Sequence, residues 1–133
     1  MTINSSTALK TAKLTATLGQ IDAKSGNAKM QFFTGAKPAN VGAVSYHVKL
    51  FEFTMSKPAG TVSAGQLLLS FTGRASVIAD GRIGWARIVD GDGVALMDLD
   101  AGLAGSGADV IMATLDVNTG SSVESTTAYI TES

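Results

Sequence analysis

Leu14, Leu18 and Ile21 recur at i, i+4 and i+7, an apolar stripe that predicts a helix over residues 5–22 with Ser5 or Ser6 as N-cap. Gly19 and the many threonines weaken that helix. The run Leu14-Thr15-Ala16-Thr17-Leu18 also alternates with period two, the spacing of a strand. From Ala28 onward the pattern is one of strands and turns. Ala28–Thr34 is apolar and aromatic, and Gly35-Ala36-Lys37-Pro38 ends it. Val44, Tyr46, Val48 and Leu50 alternate with Ser45, His47 and Lys49, as in a half-buried strand. The phase then slips by one residue to Phe51, Phe53 and Met55, which predicts a bulge or a change of sheet.

Pro58, Gly60 and Gly65 place a loop over residues 56–65. Strands follow at Gln66–Phe71, Arg74–Ala79, Arg82–Val89, Val94–Leu99, Val110–Val117 and Ser122–Thr131. Between them lie Gly73, Asp80-Gly81, Asp90-Gly91-Asp92-Gly93, a Gly-rich stretch over 100–109, and Asn118-Thr119-Gly120. About eight short strands joined by short turns predict an all-β fold, an antiparallel β-sandwich or jelly-roll-like barrel with one N-terminal helix. Antiparallel pairing is expected because turns of two to four residues cannot span a parallel crossover. Residues 1–27 read as an N-terminal segment that packs on or reaches from a β-sandwich domain at 28–133.

Composition sharpens this picture. The 133 residues suit one domain. With no cysteine, a disulfide framework, a thiolate metal site and a Cys nucleophile are all excluded. Met1–Lys10 lack an apolar h-region, so no signal peptide is expected, and no apolar run reaches membrane-spanning length. Charged residues make up 16% of the chain, below the usual quarter, which points to a surface partly covered by partners. Residues 1–65 hold seven lysines against Asp22 and Glu52, while residues 66–133 hold three arginines against nine acids. Such polarity attracts like copies or an acidic partner unless folding interleaves the halves. Scattered lysines without an arginine or aromatic cluster do not make a nucleic-acid footprint.

Candidate chemistry is sparse. Counted as an EF-hand from Asp90, the ligand positions fall on Val94 and Ala101 and the glycine position on Ala95, so a hairpin turn explains the Asp-Gly run better than calcium. Asp98 and Asp100 share a strand face and read as a solvated strand exit. His47, the only histidine, lies in polar phase without a nucleophile elbow and reads as a surface or interface residue. The loop from Gly102 to Gly107 lacks the spacing of a phosphate cradle. Trp85 alternates in phase with Ile83 and reads as core rather than as a sugar platform.

Several segments in order carry a resemblance. They are Ile21-Asp22-Ala23-Lys24-Ser25-Gly26, Phe33-Thr34-Gly35-Ala36-Lys37-Pro38, Ser56-Lys57-Pro58-Ala59-Gly60, the block Ala79–Asp90, Ala95-Leu96-Met97-Asp98-Leu99-Asp100, and the Gly105–Asp109 stretch. Together they resemble small structural proteins of tailed bacteriophages and prophages. The resemblance implies a virion component assembled in the host cytoplasm, with the decoration (cement) proteins of phage heads as its nearest description. It implies a non-enzymatic, cofactor-free homo-oligomer whose partners are the major capsid protein or other virion proteins, with no nucleic acid or membrane. A tail or head–tail joining protein and a carbohydrate-binding adhesin module are the alternatives. The expected contact surfaces are the N-terminal segment, through Lys10, Lys13 and Leu14, and the Gly-rich region, through Gly102, Leu103, Gly105, Ser106 and Gly107.

Overall fold

The computed structural model describes residues 6–39, 41–42, 47–63, 65–123 and 127–131. Among these residues one helix, α1 (Thr7–Ile21), precedes eleven strands: β1 (Lys29–Phe33), β2 (Lys49–Ser63), β3 (Gln66–Thr72), β4 (Ala75–Ser76), β5 (Gly81–Arg82), β6 (Trp85–Val89), β7 (Ala95–Leu103), β8 (Val110–Met112), β9 (Asp116–Val117), β10 (Ser122–Val123) and β11 (Thr127–Thr131). Seven of them close into a barrel in the order β1-β2-β3-β11-β8-β7-β6, with β6 returning to β1. Pairs β4–β10 and β5–β9 stand apart as two small ribbons. The all-β class with one helix is as expected, but the sandwich is replaced by a closed barrel of mixed pairing.

The parallel exception is β7 with β8, where Ala101, Gly102 and Leu103 face Val110, Ile111 and Met112. A connection of six residues achieves it by folding back on itself. Gly105 and Gly107 take positive φ (86° and 83°), a region L-residues avoid. Ser106 N–H donates to the Leu103 carbonyl at 3.0 Å. The chain thus reverses twice, and a long crossover is unnecessary.

The one-residue slip in apolar phase at Leu50 is a β-bulge. Phe32 faces Phe51 while Phe33 faces Lys49, so Leu50 is the extra residue, and Leu50 and Phe51 are both buried. Residues 56–59 form a second irregularity inside β2 rather than a loop, since Met55 faces Phe71 and Gly60 already faces Leu69. A Cβ on Gly60 would overlap the Leu68 carbonyl oxygen, which is why strand pairing can resume there only with glycine. The predicted strand over Arg82–Val89 divides at Gly84, whose N–H donates to the Phe33 carbonyl at 2.8 Å. The predicted strand from Val44 falls largely on residues outside those described; β2 itself starts at Lys49. The strand expected over Val110–Val117 likewise divides into β8 and β9, and β7 runs on to Leu103, into the stretch expected to be loop.

Inside the barrel, Phe32 stacks on Phe51 (ring centroids 4.6 Å apart), and Phe53 meets both edge-on at 5.8 and 5.7 Å. Met30, Ala86, Ile88, Leu67, Leu69, Val110 and Ala128 complete that core. Helix α1 packs against β2, β3 and β11, and Leu14 and Ile21 are fully buried in the same core. Its N-cap is Ser6, whose Oγ accepts from Leu9 N–H at 3.1 Å. At its C-terminal end Asp22 accepts from Ala59 N–H through both carboxylate oxygens, at 3.2 and 3.1 Å. The helix is therefore tied to the irregular part of β2.

Candidate interaction surfaces

Alternation along β6 sends Ala86 and Ile88 into the barrel and Trp85, Arg87 and Val89 to the outer wall, yet all five are buried. Thr34, Gly42 and His47 of the β1–β2 connection lie against the outer wall of β6. Phe33 stacks on Trp85 with centroids 4.7 Å apart, and Trp85 Nε1–H donates to the Thr34 carbonyl at 3.2 Å. His47 sits edge-on to Trp85 at 5.1 Å, and its Nε2 lies 2.8 Å from the Ala36 carbonyl oxygen. The Arg87 guanidinium lies over the indole, 5.1 Å from its centroid. Arg87 Nε–H donates to Asp98 Oδ1 at 2.7 Å, a second nitrogen donates to Oδ2 at 3.2 Å, and Nη1 donates to the Gly42 carbonyl at 2.7 Å. Both side chains of this pair are about 95% buried, at 6% and 5% exposure.

This second core overturns one expectation and relocates two others. Asp98 is no solvated strand exit but the buried partner of Arg87, because β6 brings Arg87 directly opposite it. Asp100, one pleat further on, stays exposed and pairs with Lys37 at 3.2 Å. Trp85 is buried as expected, but outside the barrel, against Phe33, Thr34, His47 and Arg87. His47 is half-buried against it rather than on open surface. A small cleft remains at the margin of this cover, lined by Lys37, Pro38, Ala39, Val41, Met97 and Asp98.

The Asp90-Gly91-Asp92-Gly93 run is a turn. Asp90 Oδ1 accepts from the N–H groups of Asp92 and Val94 at 2.9 and 3.0 Å, and Gly93 takes φ 85°. Among the described residues no three His, Cys, Asp or Glu side chains converge as metal ligands. Nor, among them, is any helix long and apolar enough to cross a membrane. The charge halves interleave: Lys24 pairs with Asp92 at 3.6 Å and Lys37 with Asp100, joining the basic front to the acidic back. Asp80 accepts from Thr119 N–H at 2.6 Å, and that bond, helped by the Thr119 hydroxyl, holds its carboxyl below the usual aspartate range.

The residues expected to make contacts fall into two places. Lys10 and Lys13 lie half-buried on α1, and Lys10 borders Gly65 in the β2–β3 turn. Leu14 faces inward from the same helix and is wholly enclosed, so it holds α1 to the barrel and offers no surface. Gly102 is likewise buried, under Ser106 and Ala108, since a Cβ there would meet both side chains. Leu103, Gly105, Ser106 and Gly107 are exposed around the double reversal. Sequence reasoning missed Leu68 and Tyr129, which face solvent at 41% and 40% exposure. The signal was present in Leu67-Leu68-Leu69, where period two must turn the middle leucine outward.

Comparison with family models, curated proteins and solved structures finds no match.

Proposed function

We propose that this protein is a structural component of a tailed-phage particle, a decoration protein that stabilises the head by protein–protein contact. One observation carries the reading. A cluster of chemically capable side chains, Trp85, Arg87, Asp98 and His47, is used internally and ties Thr34 and Gly42 to the barrel wall. Beside its solvated charges the molecule presents outward the small residues of the Gly105–Gly107 reversal and single apolar side chains, among them Leu68, Ile78, Val94, Leu103 and Tyr129. A rigid body with such a surface acts by packing across joints between neighbours, and many copies add weak contacts into a strong lattice. On this reading no catalytic step and no cofactor is involved. A tail or head–tail joining protein would use the same chemistry at another address. The adhesin alternative loses its main platform, because Trp85 is fully enclosed.

Electron microscopy of the intact particle tests the proposal. Density for the barrel on the outer capsid lattice, bridging subunits, supports the decoration role. Density confined to the tail or neck replaces it with the joining role. Absence from purified particles refutes the virion assignment.

A further inference from the structure

The sequence holds three Asp-Gly dipeptides, Asp80-Gly81, Asp90-Gly91 and Asp92-Gly93. An aspartate before glycine can lose water to its own backbone, because glycine has no side chain to screen its amide nitrogen or to limit its torsions. The fold treats the three unequally. Asp80 accepts from Thr119 N–H at 2.6 Å, which fixes the carboxylate and keeps it ionised, a poor electrophile. Gly81 pairs with Val117 in its ribbon and is wedged against Thr34 and Leu50, whose methyl groups a Cβ would meet at 2.9 and 3.0 Å. Asp90 is 4% exposed, and its Oδ1 accepts from the N–H groups of Asp92 and Val94. Gly91 lies so close to Gly26 that a Cβ would overlap the Gly26 carbonyl oxygen. Neither carboxyl can swing onto the following nitrogen without undoing packed structure.

Asp92 is placed differently. Its side chain is 62% exposed and, among the described residues, is held by Lys24 at 3.6 Å, a cation itself 43% exposed. A pair so solvated restrains the carboxylate little. Gly93 and Val94 are exposed as well, and a Cβ on Gly93 would meet nothing within 4 Å. Gly93 N–H donates to the Asp90 carbonyl at 2.9 Å, a single turn bond whose opening uncovers no core. We infer that Asp92-Gly93 is a site of spontaneous backbone isomerisation. The Gly93 nitrogen attacks Cγ of the Asp92 carboxyl in its protonated form. A C–N bond forms, the Cγ–OH bond breaks, and the hydroxyl leaves with the amide proton as water. Water then adds to one of the two carbonyl carbons of the resulting succinimide. Addition at the former main-chain carbonyl gives isoaspartate, whose main chain runs through Cβ and Cγ with no net change of mass. The extra methylene lengthens the β6–β7 turn and draws Val94 N–H away from Asp90. The product is a substrate for methylation by an isoaspartyl-directed carboxyl methyltransferase. This inference does not depend on the role proposed above.

The test ages the unmodified, folded chain at neutral pH and physiological temperature, beside the same chain in guanidinium chloride. Cleavage after arginine separates Asp80, in residues 75–82, from Asp90 and Asp92, in residues 88–133. Electron-transfer fragmentation tells the latter two apart, and enzymatic carboxyl methylation counts the isoaspartate. In denaturant all three sites should isomerise at comparable rates. In the folded chain Asp80 and Asp90 should fall behind Asp92 by at least about tenfold, the effect of roughly 1.4 kcal/mol of local restraint. Asp92→Glu keeps the charge beside Lys24 and should remove the methylation of the folded chain. No isoaspartate at residue 92 of the folded chain, isomerisation at Asp80 or Asp90 that keeps pace with it, or undiminished methylation of Asp92→Glu overturns the inference.

Discussion

Replacing Asp98 by Ala removes one partner of the buried Arg87–Asp98 pair and leaves the guanidinium where water cannot reach it. The carboxylate now takes two charge-assisted bonds from Arg87, at 2.7 and 3.2 Å. After truncation the Gly42 carbonyl and the Trp85 ring are the partners of the cation that remain among the described residues. With both side chains about 95% enclosed, solvent screening gives little relief. An uncompensated buried charge of this kind costs about 3–5 kcal/mol. For a domain of this length that lowers Tm by roughly 10–15 °C. Urea unfolding followed by far-UV circular dichroism measures the loss, and fluorescence of the single tryptophan, which lies against the same guanidinium, reports whether the local clamp opens first. The companion variant Arg87→Met/Asp98→Leu removes both charges and should recover all but about 1–2 kcal/mol. A loss below about 1 kcal/mol for Asp98→Ala, or simple additivity of the single variants, would show that the pair is solvated and that the wall around it is open.

Leu14→Ala should cost about 2–5 kcal/mol in denaturant titration, because the leucine is the enclosed tie between α1 and the barrel; a cost near zero would mean that the helix is not docked. Gly84→Ala should leave little folded protein in expression and circular dichroism trials, since its Cβ would overlap the Gly35 carbonyl oxygen; a fully stable variant would refute the close approach. Asp80, whose carboxyl titrates lower in the folded chain than in the unfolded one, adds stability that is present above the ordinary aspartate range and fades as pH falls through the folded value. Comparing the acid unfolding of the unmodified chain with that of Asp80→Asn should show a smaller pH dependence in the variant, and identical curves would refute the assignment.

Much of the local structure was legible because it follows from periodicity and turn chemistry. The helix stripe at Leu14, Leu18 and Ile21, the Asp90–Gly93 turn and the bulge at Leu50 all leave marks within a few residues of themselves. The sites that were misread depend on distant chain. Alternation shows that Trp85 and Arg87 share a face, but it cannot say that Thr34 and Gly42 return to that face. Asp98 therefore looked solvated when it is the counter-ion of Arg87. Pro58 and Gly60 look like breakers, yet β3 offers a partner on both sides of the irregularity and the strand continues. The parallel β7–β8 pair escaped because loop length was equated with reach, whereas two left-handed glycines reverse the chain twice within six residues.

The barrel order also governs when the protein becomes safe from aggregation. β11 is inserted between β3 and β8, so Gln66–Thr72 and Val110–Met112 both await Thr127–Thr131. During synthesis the hairpins β2–β3 and β6–β7 can form early from neighbouring sequence. The wall cannot close until the last of these strands has left the ribosome. Until then two unsatisfied strand edges stand open, each able to template pairing with another nascent chain. Closure is thus governed by contacts distant in sequence and slow for that reason. A ribosome stalled shortly before residue 127 would release a sticky open sheet rather than a nearly finished barrel.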